Sequence, residues 1–581
     1  MNPSVLPRQS IAEQSGYRLS ADGSSLHLRV YQPTNAATRG PVLLAPADGE
    51  ERTWAQRAWV NLARHLAAAG SPVVRFDFRG QGESDGEFEA TDVSTRIDDL
   101  AAAVEYCRDS FGVPPILVGL RLGANLAARF ASLDSSKVDR VIAVEPLDSG
   151  RAYVDDLLKR NVANQFVVHK RVLVGREKLL EQIRSGSTVN CNGFLLAAPL
   201  VDSLTALPDG STLAARPEIT VIGLGVTKAG GRSIDGVAPF WLEAPTFRSH
   251  PSALFEAVAA LAKSPPATGT VAPARLEESS RSGARTVDLD GAQGPVCATW
   301  HDAADKSCAV LFLSPGPNDR SGPHGLYGRL ARRLAAAGRP VLRIDPVSVG
   351  ESHGNDAPDQ DRSIADVYRE INEGRHVPDA ACALAWLRQR GYENVVITGL
   401  CGGASTAMLT AAKHFGKDLR LVLLGTPVLH QGVGAGQVLT DQHIAEETAL
   451  IRRKLFEPAA IWRLLTFQSD YRVLFKVVRA RIGQLVSRSR VDARLHPQTN
   501  RSFLTAWERF RAASGRTTFV YSELDRLLAL FKEHFAPLVR GEGLPPGTEL
   551  VVLERTNHNV TDREAEGRLL ELLGAVAGAS R

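Results

Sequence analysis

The chain is 581 residues long, 44% hydrophobic and 23% charged, with a formal net charge of only +4. That length implies at least two domains, and so small a charge, with no Lys/Arg tract at either end, gives no case for a nucleic-acid partner. The six cysteines (Cys107, Cys191, Cys297, Cys308, Cys382, Cys401) show neither CxxC pairing nor His/Cys clustering. This argues against a disulfide framework or a metal site, and no cofactor is expected.

Residues 1–10 are polar and lack the apolar core of a signal peptide, and no apolar run is long enough to span a bilayer. A reducing, cytoplasmic compartment is the expectation. Taken in chain order, the first half alternates short β-branched strands near 42–44, 73–76, 116–118 and 141–144 with Ala/Leu-rich helices. An insertion follows, then strands near 219–224 and 240–243. Residues 264–284, rich in Pro, Gly, Ser and charge, have linker composition. The second half repeats the alternation, with strands near 309–312, 341–344, 395–397 and 421–424 and late strands near 517–521 and 549–554. Its insertion, about 429–514, has a helical pattern and contains a basic amphipathic stretch, 471–481. Strands alternating with helices predict a mainly parallel sheet covered on both faces.

The two halves are a repeat. Leu62-Ala63-Arg64-His65-Leu66 returns as Leu330-Ala331-Arg332-Arg333-Leu334, Arg75-Phe76-Asp77 as Arg343-Ile344-Asp345, and Gly82-Glu83-Ser84 as Gly350-Glu351-Ser352. Each copy is large enough for its own core, so the repeat is a duplicated domain rather than a solenoid unit.

Gly399-Leu400-Cys401-Gly402-Gly403 follows the strand near 395–397 and opens a helix-forming run. Strand, G-x-nucleophile-x-G, helix is the nucleophile elbow of α/β-hydrolases. The outer glycines, Gly399 and Gly403, suit a turn too sharp for a Cβ. A thiol there faces a helix N-terminus, which favours thiolate. The fold expected is therefore two tandem α/β-hydrolase domains, each with a helical cap insertion: residues 1–263, a linker over 264–284, and 285–581 with its cap at about 429–514.

In this fold the acid follows a late strand and the histidine the last one. Ser522-Glu523-Leu524-Asp525 follows the strand near 517–521, so Asp525 is the candidate acid, with Glu523 the near alternative. His558 follows the last strand and fits the base. His558 would take the Cys401 proton and Asp525 would fix its tautomer. The oxyanion needs two aimed donors. One is the N–H of Gly402; the other falls in Ser314-Pro315-Gly316-Pro317-Asn318, where prolines have no N–H, leaving Gly316 or Asn318.

In the first half Gly119-Leu120-Arg121-Leu122-Gly123 places Arg121 at the nucleophile position, and His250 matches His558. No carboxylate follows the strand near 219–224 until Asp235. Arg121 cannot be an acyl nucleophile, because it stays protonated. Two readings stand: a scaffold domain in which Asp48, Glu50, Glu51 or Glu145 pairs with Arg121, or a pocket in which Arg121 and His250 bind an anion.

The second half resembles the type 1 exosortase A system-associated hydrolases. The likeness rests on Gly316-Pro317, on the run from Leu330 to Asp345, on Gly399-Leu400-Cys401-Gly402-Gly403-Ala404-Ser405 and on Ser522-Glu523-Leu524-Asp525. The first half resembles the type 2 members, whose elbow carries the same arginine. The resemblance implies α/β-hydrolase folds and, by association, exopolysaccharide and protein-sorting gene clusters, with no settled substrate. One departure stands out. Phe78-Arg79-Gly80-Gln81-Gly82 keeps the family pattern after the second strand, whereas the second half has Pro346-Val347-Ser348-Val349-Gly350.

The leading functional expectation is hydrolysis of an ester or thioester, small or carrier-bound, through an acyl-Cys401 intermediate. Acyl transfer from Cys401 to another acceptor and a non-catalytic binding or scaffold role are the alternatives. The basic cap stretch reads as a lid helix, with peripheral membrane contact as the other reading.

Overall fold

The computed structural model describes residues 11–35, 37–225, 231–265, 273–354, 356–414, 419–429, 498–535 and 544–579. Residues 430–497, which hold most of the expected cap and its basic stretch, lie outside these. Twenty strands are described, β1 (Ile11–Leu19), β2 (Ser25–Pro33), β3 (Val42–Ala45), β4 (Val73–Phe76), β5 (Ile116–Leu120), β6 (Val141–Val144), β7 (Val189–Cys191), β8 (Phe194–Leu196), β9 (Ile219–Leu224), β10 (Arg232–Ile234) and β11 (Thr246–Phe247) in the first half. The second half carries β12 (Ala284–Leu289), β13 (Val296–His301), β14 (Cys308–Leu313), β15 (Val341–Ile344), β16 (Arg362–Ser363), β17 (Asn394–Leu400), β18 (Leu419–Leu424), β19 (Arg516–Ser522) and β20 (Thr548–Leu553).

They form two eight-stranded sheets of one topology, β1-β2-β4-β3-β5-β6-β9-β10 and β12-β13-β15-β14-β17-β18-β19-β20. In each sheet the first three strands in spatial order pair antiparallel and the rest are parallel. The central parallel strands are mostly apolar: β5 reads ILVGL and β17 NVVITGL, nearly all buried, because helices cover both faces. This is the α/β-hydrolase fold.

Two expectations change. Phe240-Trp241-Leu242-Glu243 is not a strand; Phe240 and Trp241 turn inward onto the first core, and β10 closes the sheet instead. Residues 273–283 are no free linker: Glu277 exchanges backbone hydrogen bonds with Tyr17, and the Arg281 N–H donates to Ser25. The altered loop of the second half keeps its shape. Ser348 sits at φ +61 where Gly80 sits at +75, and each donates its N–H to a carbonyl five residues on, His353 and Asp85 respectively.

The halves meet through β2, β4, β13 and β15 and the loops after them, in a pseudo-twofold arrangement. Arg75 reaches Glu351 at 3.2 Å, and its repeat equivalent Arg343 reaches Glu83, the equivalent of Glu351, at 2.7 Å. All four side chains are at most 5% exposed. Arg52 bonds both Asp77 of its own half and Asp319 of the other, at 2.9 and 3.0 Å. Such a self-complementary contact is what a twofold dimer builds, here within one chain.

Candidate functional site

Cys401 stands between β17 and the helix Gly402–Lys413 with φ 53 and ψ −114, and Arg121 has φ 55 and ψ −123 at the equivalent turn. Both are strained positions for residues with a side chain, costing about 1–3 kcal/mol. The glycines show why they are required. A Cβ on Gly399 would lie 2.6 Å from the Gly403 carbonyl carbon, and one on Gly403 would lie 2.3 Å from the Leu313 carbonyl oxygen. The strand end is fixed from below by buried Tyr327, whose hydroxyl accepts from the Leu400 N–H at 2.7 Å.

Asp525 follows β19 and caps a short helix with one oxygen, accepting from Leu527 N–H at 2.9 Å. Its other oxygen accepts from His558 Nδ1 at 2.7 Å. Glu523 faces elsewhere and accepts from the Arg555 N–H. The His558 ring is close enough to Cys401 for the thiol to help set its pKa. Burial would lower the His558 pKa, but the Asp525 charge and hydrogen bond, with Cys401, hold it well above the ordinary histidine value. Gly425, at φ +49, makes room for the pair, since a Cβ there would lie 2.7 Å from the His558 ring and 3.3 Å from Asp525.

The Gly316 N–H lies close to Gly402, 3.4 Å from where a Gly402 Cβ would be. It is not idle, however: it donates to Ser314 O at 3.0 Å. A residue that the sequence reading missed stands beside it. Tyr368, on the helix Ile364–Asn372, is close enough to Cys401 for the thiol to help raise the pKa of its hydroxyl. A Cβ on Gly316 would lie 2.8 Å from that hydroxyl.

In the first half the same positions are occupied differently. Arg121 donates to both oxygens of Glu51, at 3.1 and 3.2 Å, and to the Glu145 carbonyl, and stacks over Trp241. Asp48 pairs with Arg96 instead. Glu145, at φ 47, stands where Gly425 stands, and its carboxylate accepts from the Leu224 N–H, so a side chain fills the space that His558 and Asp525 use in the second half. His250 packs against His65 and Phe255 and shares none of the Arg121 contacts. The cavity beside this elbow is lined by three carboxylates, Asp48, Glu50 and Glu51, against one cation, Arg160, a poor setting for an anion. The structure thus does not bring Arg121 and His250 together as an anion site.

The first half also touches the second site. Asn190 on β7 donates to the carbonyl of Thr561, three residues past His558, at 2.7 Å. β11 pairs antiparallel with β16, immediately before the helix that carries Tyr368.

No helix among the described residues is long and apolar enough to cross a membrane, and none of their His, Cys, Asp and Glu side chains cluster as metal ligands. A family model described as the alpha/beta hydrolase fold matches residues 46–202. No curated protein matches. Solved structures similar to this chain include a dienelactone hydrolase from Anabaena variabilis, 13% identical over 50% of this chain and 94% of its own, TM-score 0.29. An esterase from Pyrococcus furiosus is 14% identical over 50% and 88%, TM-score 0.30. A lidless α/β serine hydrolase from Xanthomonas campestris is 15% identical over 51% and 97%, TM-score 0.28.

Proposed function

We propose that residues 285–581 form a cysteine-nucleophile acyl hydrolase of the α/β-hydrolase fold, acting on an ester or thioester, and that residues 1–263 form a non-catalytic partner domain. The observation that carries this is the 2.7 Å hydrogen bond from His558 to Asp525, with Cys401 on a strained elbow and close enough to the same imidazole to help raise its pKa. His558 takes the thiol proton, and the thiolate attacks the acyl carbon. The carbonyl π electrons move to oxygen, where the Gly402 N–H donates. Collapse breaks the bond to the leaving group, which His558 protonates, and the acyl-Cys401 thioester then passes to water. Asp525 keeps the Nδ1 proton in place and balances the imidazolium. The Arg121–Glu51 pair supports the scaffold reading of the first half, because the cation that replaced the nucleophile is already neutralised by its own domain.

Incubation with a panel of p-nitrophenyl esters and acyl-thioesters, followed by intact-mass and peptide mapping, tests the reading. An acyl mass on Cys401, absent from Cys401→Ala, is expected. Acylation elsewhere, or on no residue with any probe, refutes it.

A further inference from the structure

We propose that the Tyr368 hydroxyl is the second oxyanion donor of the Cys401 site and that the first half of the chain holds it there; this rests on the acyl-hydrolase reading above. Of the two backbone N–H groups that the loop after β14 offers as second donor, Gly316 and Asn318, the one beside Gly402 is Gly316, and that N–H is spent on Ser314 O at 3.0 Å. The Tyr368 hydroxyl lies over Gly316, 2.8 Å from where a Gly316 Cβ would be, and the Gly316 nitrogen is in turn 3.4 Å from where a Gly402 Cβ would be, which puts the hydroxyl beside the Gly402 end of the elbow. Only glycine at 316 leaves it room. Burial, together with Cys401 beside it, keeps this hydroxyl well above the ordinary tyrosine pKa, so it stays a donor.

The helix bearing Tyr368 has nine residues and is anchored from the other half. Its N-cap Ser363, which accepts from the Ala365 N–H, lies in β16 and pairs with Thr246 of β11. The Ile364 N–H donates to Pro245 O, and the Asp359 N–H to His250 O, both at 2.9 Å. Arg248 grips Asp361 with two hydrogen bonds of 2.9 and 3.0 Å, and Ser249 donates to Asp356 at 2.9 Å. When the thiolate attacks, the C–S bond forms and the carbonyl pair moves to oxygen. The Tyr368 hydroxyl donates to that oxygen alongside Gly402 without giving up its proton. A first half that performs no chemistry would in this way complete the site of the second.

The full chain is tested with two probes, p-nitrophenyl acetate, whose acylation passes through an oxyanion, and iodoacetamide, whose displacement at a saturated carbon does not. Tyr368→Phe should slow acylation about 10²–10³-fold, the cost of one oxyanion donor, while Cys401 alkylation changes little. Arg248→Ala should lower acylation by up to about 10²-fold, the scale of an ångström of misplacement, and should add little in the Tyr368→Phe background. Unchanged acylation in Tyr368→Phe, or equal loss of acylation and alkylation, overturns the donor role. Full additivity of the two substitutions overturns the anchoring route. An unsubstituted protein that alkylates but never acylates with any ester or thioester overturns the hydrolase reading, and the proposal with it.

Discussion

Replacing Glu83 by glutamine removes one negative charge, and almost no volume, from the middle of the junction between the halves. Glu83 accepts from Arg343 at 2.9 and 2.7 Å and from Thr299 at 2.8 Å, and Arg320 lies 3.7 Å away. Burial would raise its pKa, but Arg343 and Arg320 pull it well below the carboxylate range. Both arginines are 2% exposed. The amide keeps one acceptor oxygen but brings an NH₂ against guanidinium donors, so Arg343 is left buried without a counter-charge. Removing one partner of a buried ion pair costs about 3–5 kcal/mol. The chain should lose that much in urea unfolding followed by tryptophan fluorescence, with Trp59 and Trp300 reporting one half each.

The control is Glu83→Met with Arg343→Met. Exchanging a whole buried pair for apolar groups is often nearly neutral, so the double variant should be more stable than Glu83→Gln alone, with a coupling of about 1–3 kcal/mol between the two sites. A Glu83→Gln loss below about 1 kcal/mol, or a double variant less stable than the summed singles, would refute a junction held by reciprocal buried ion pairs.

The parallel core strands, both elbows and the order Cys401, Asp525, His558 are legible in the sequence because each follows from a local rule: a continuous apolar run, a Gly-x-nucleophile-x-Gly turn, a carboxylate and a histidine just past late strands. Asp525 is separable from Glu523 only in three dimensions, where Asp525 also caps the next helix. The antiparallel strands β1, β2, β12 and β13 are not legible. Arg29 and Thr299 look like solvent-facing residues and are instead buried at the junction, each 2% exposed or less. Charge in a strand reads as surface unless its partner is known: Arg29 bonds Glu13 on the neighbouring strand and lies 3.5 Å from Glu351 of the other half, and Thr299 bonds Glu83, 216 residues away. Phe240-Trp241-Leu242 misleads for the opposite reason, since aromatics fit a pleated edge as well as a core-filling loop. Tyr368 carries no local signal, because its role depends on a crossing ribbon from the other half.

The repeat fits the proposed division of labour. One ancestral surface, used twice, gives the reciprocal Arg75–Glu351 and Arg343–Glu83 pairs, and so both copies are bound to keep β2, β4, β13 and β15 compatible. The reacting positions are under no such tie. Glu145 replaces the glycine that makes room for a histidine, and Arg121 replaces the nucleophile, without touching the junction. What constrains the first half beyond its core is then its contact with the second: β7 on the His558 loop and β11 on the Tyr368 helix.

Asp525→Asn should slow acylation of Cys401 on the order of 10⁴-fold, as for other tautomer-breaking changes, whereas Glu523→Gln should change it little; the reverse ranking in single-turnover assays reassigns the acid. His558→Ala should cost about 10²–10⁴-fold and His250→Ala almost nothing, measured the same way. Acid should loosen the junction. Burial would raise Glu13, Glu83 and Glu351, yet arginines hold all three well below the ordinary range. With folded pKa values depressed, their stabilisation is present above the unfolded value of about 4.3 and is lost as pH falls toward the folded ones. The thermal midpoint should therefore drop steeply below about pH 4.5, and a flat profile down to pH 3 refutes the assignment. Arg121→Ala separates scaffold from anion site. Glu51 is 1% exposed and would keep only Arg160, at 3.5 Å, as a cation. Because Arg160 remains and Arg121 is itself 17% exposed, the loss should be smaller than for a wholly buried pair, about 2 kcal/mol. Melting should fall, acylation of Cys401 should persist, and phosphate or citrate should bind neither protein by calorimetry. Unchanged melting together with loss of measurable phosphate binding would make Arg121 a ligand-binding residue after all.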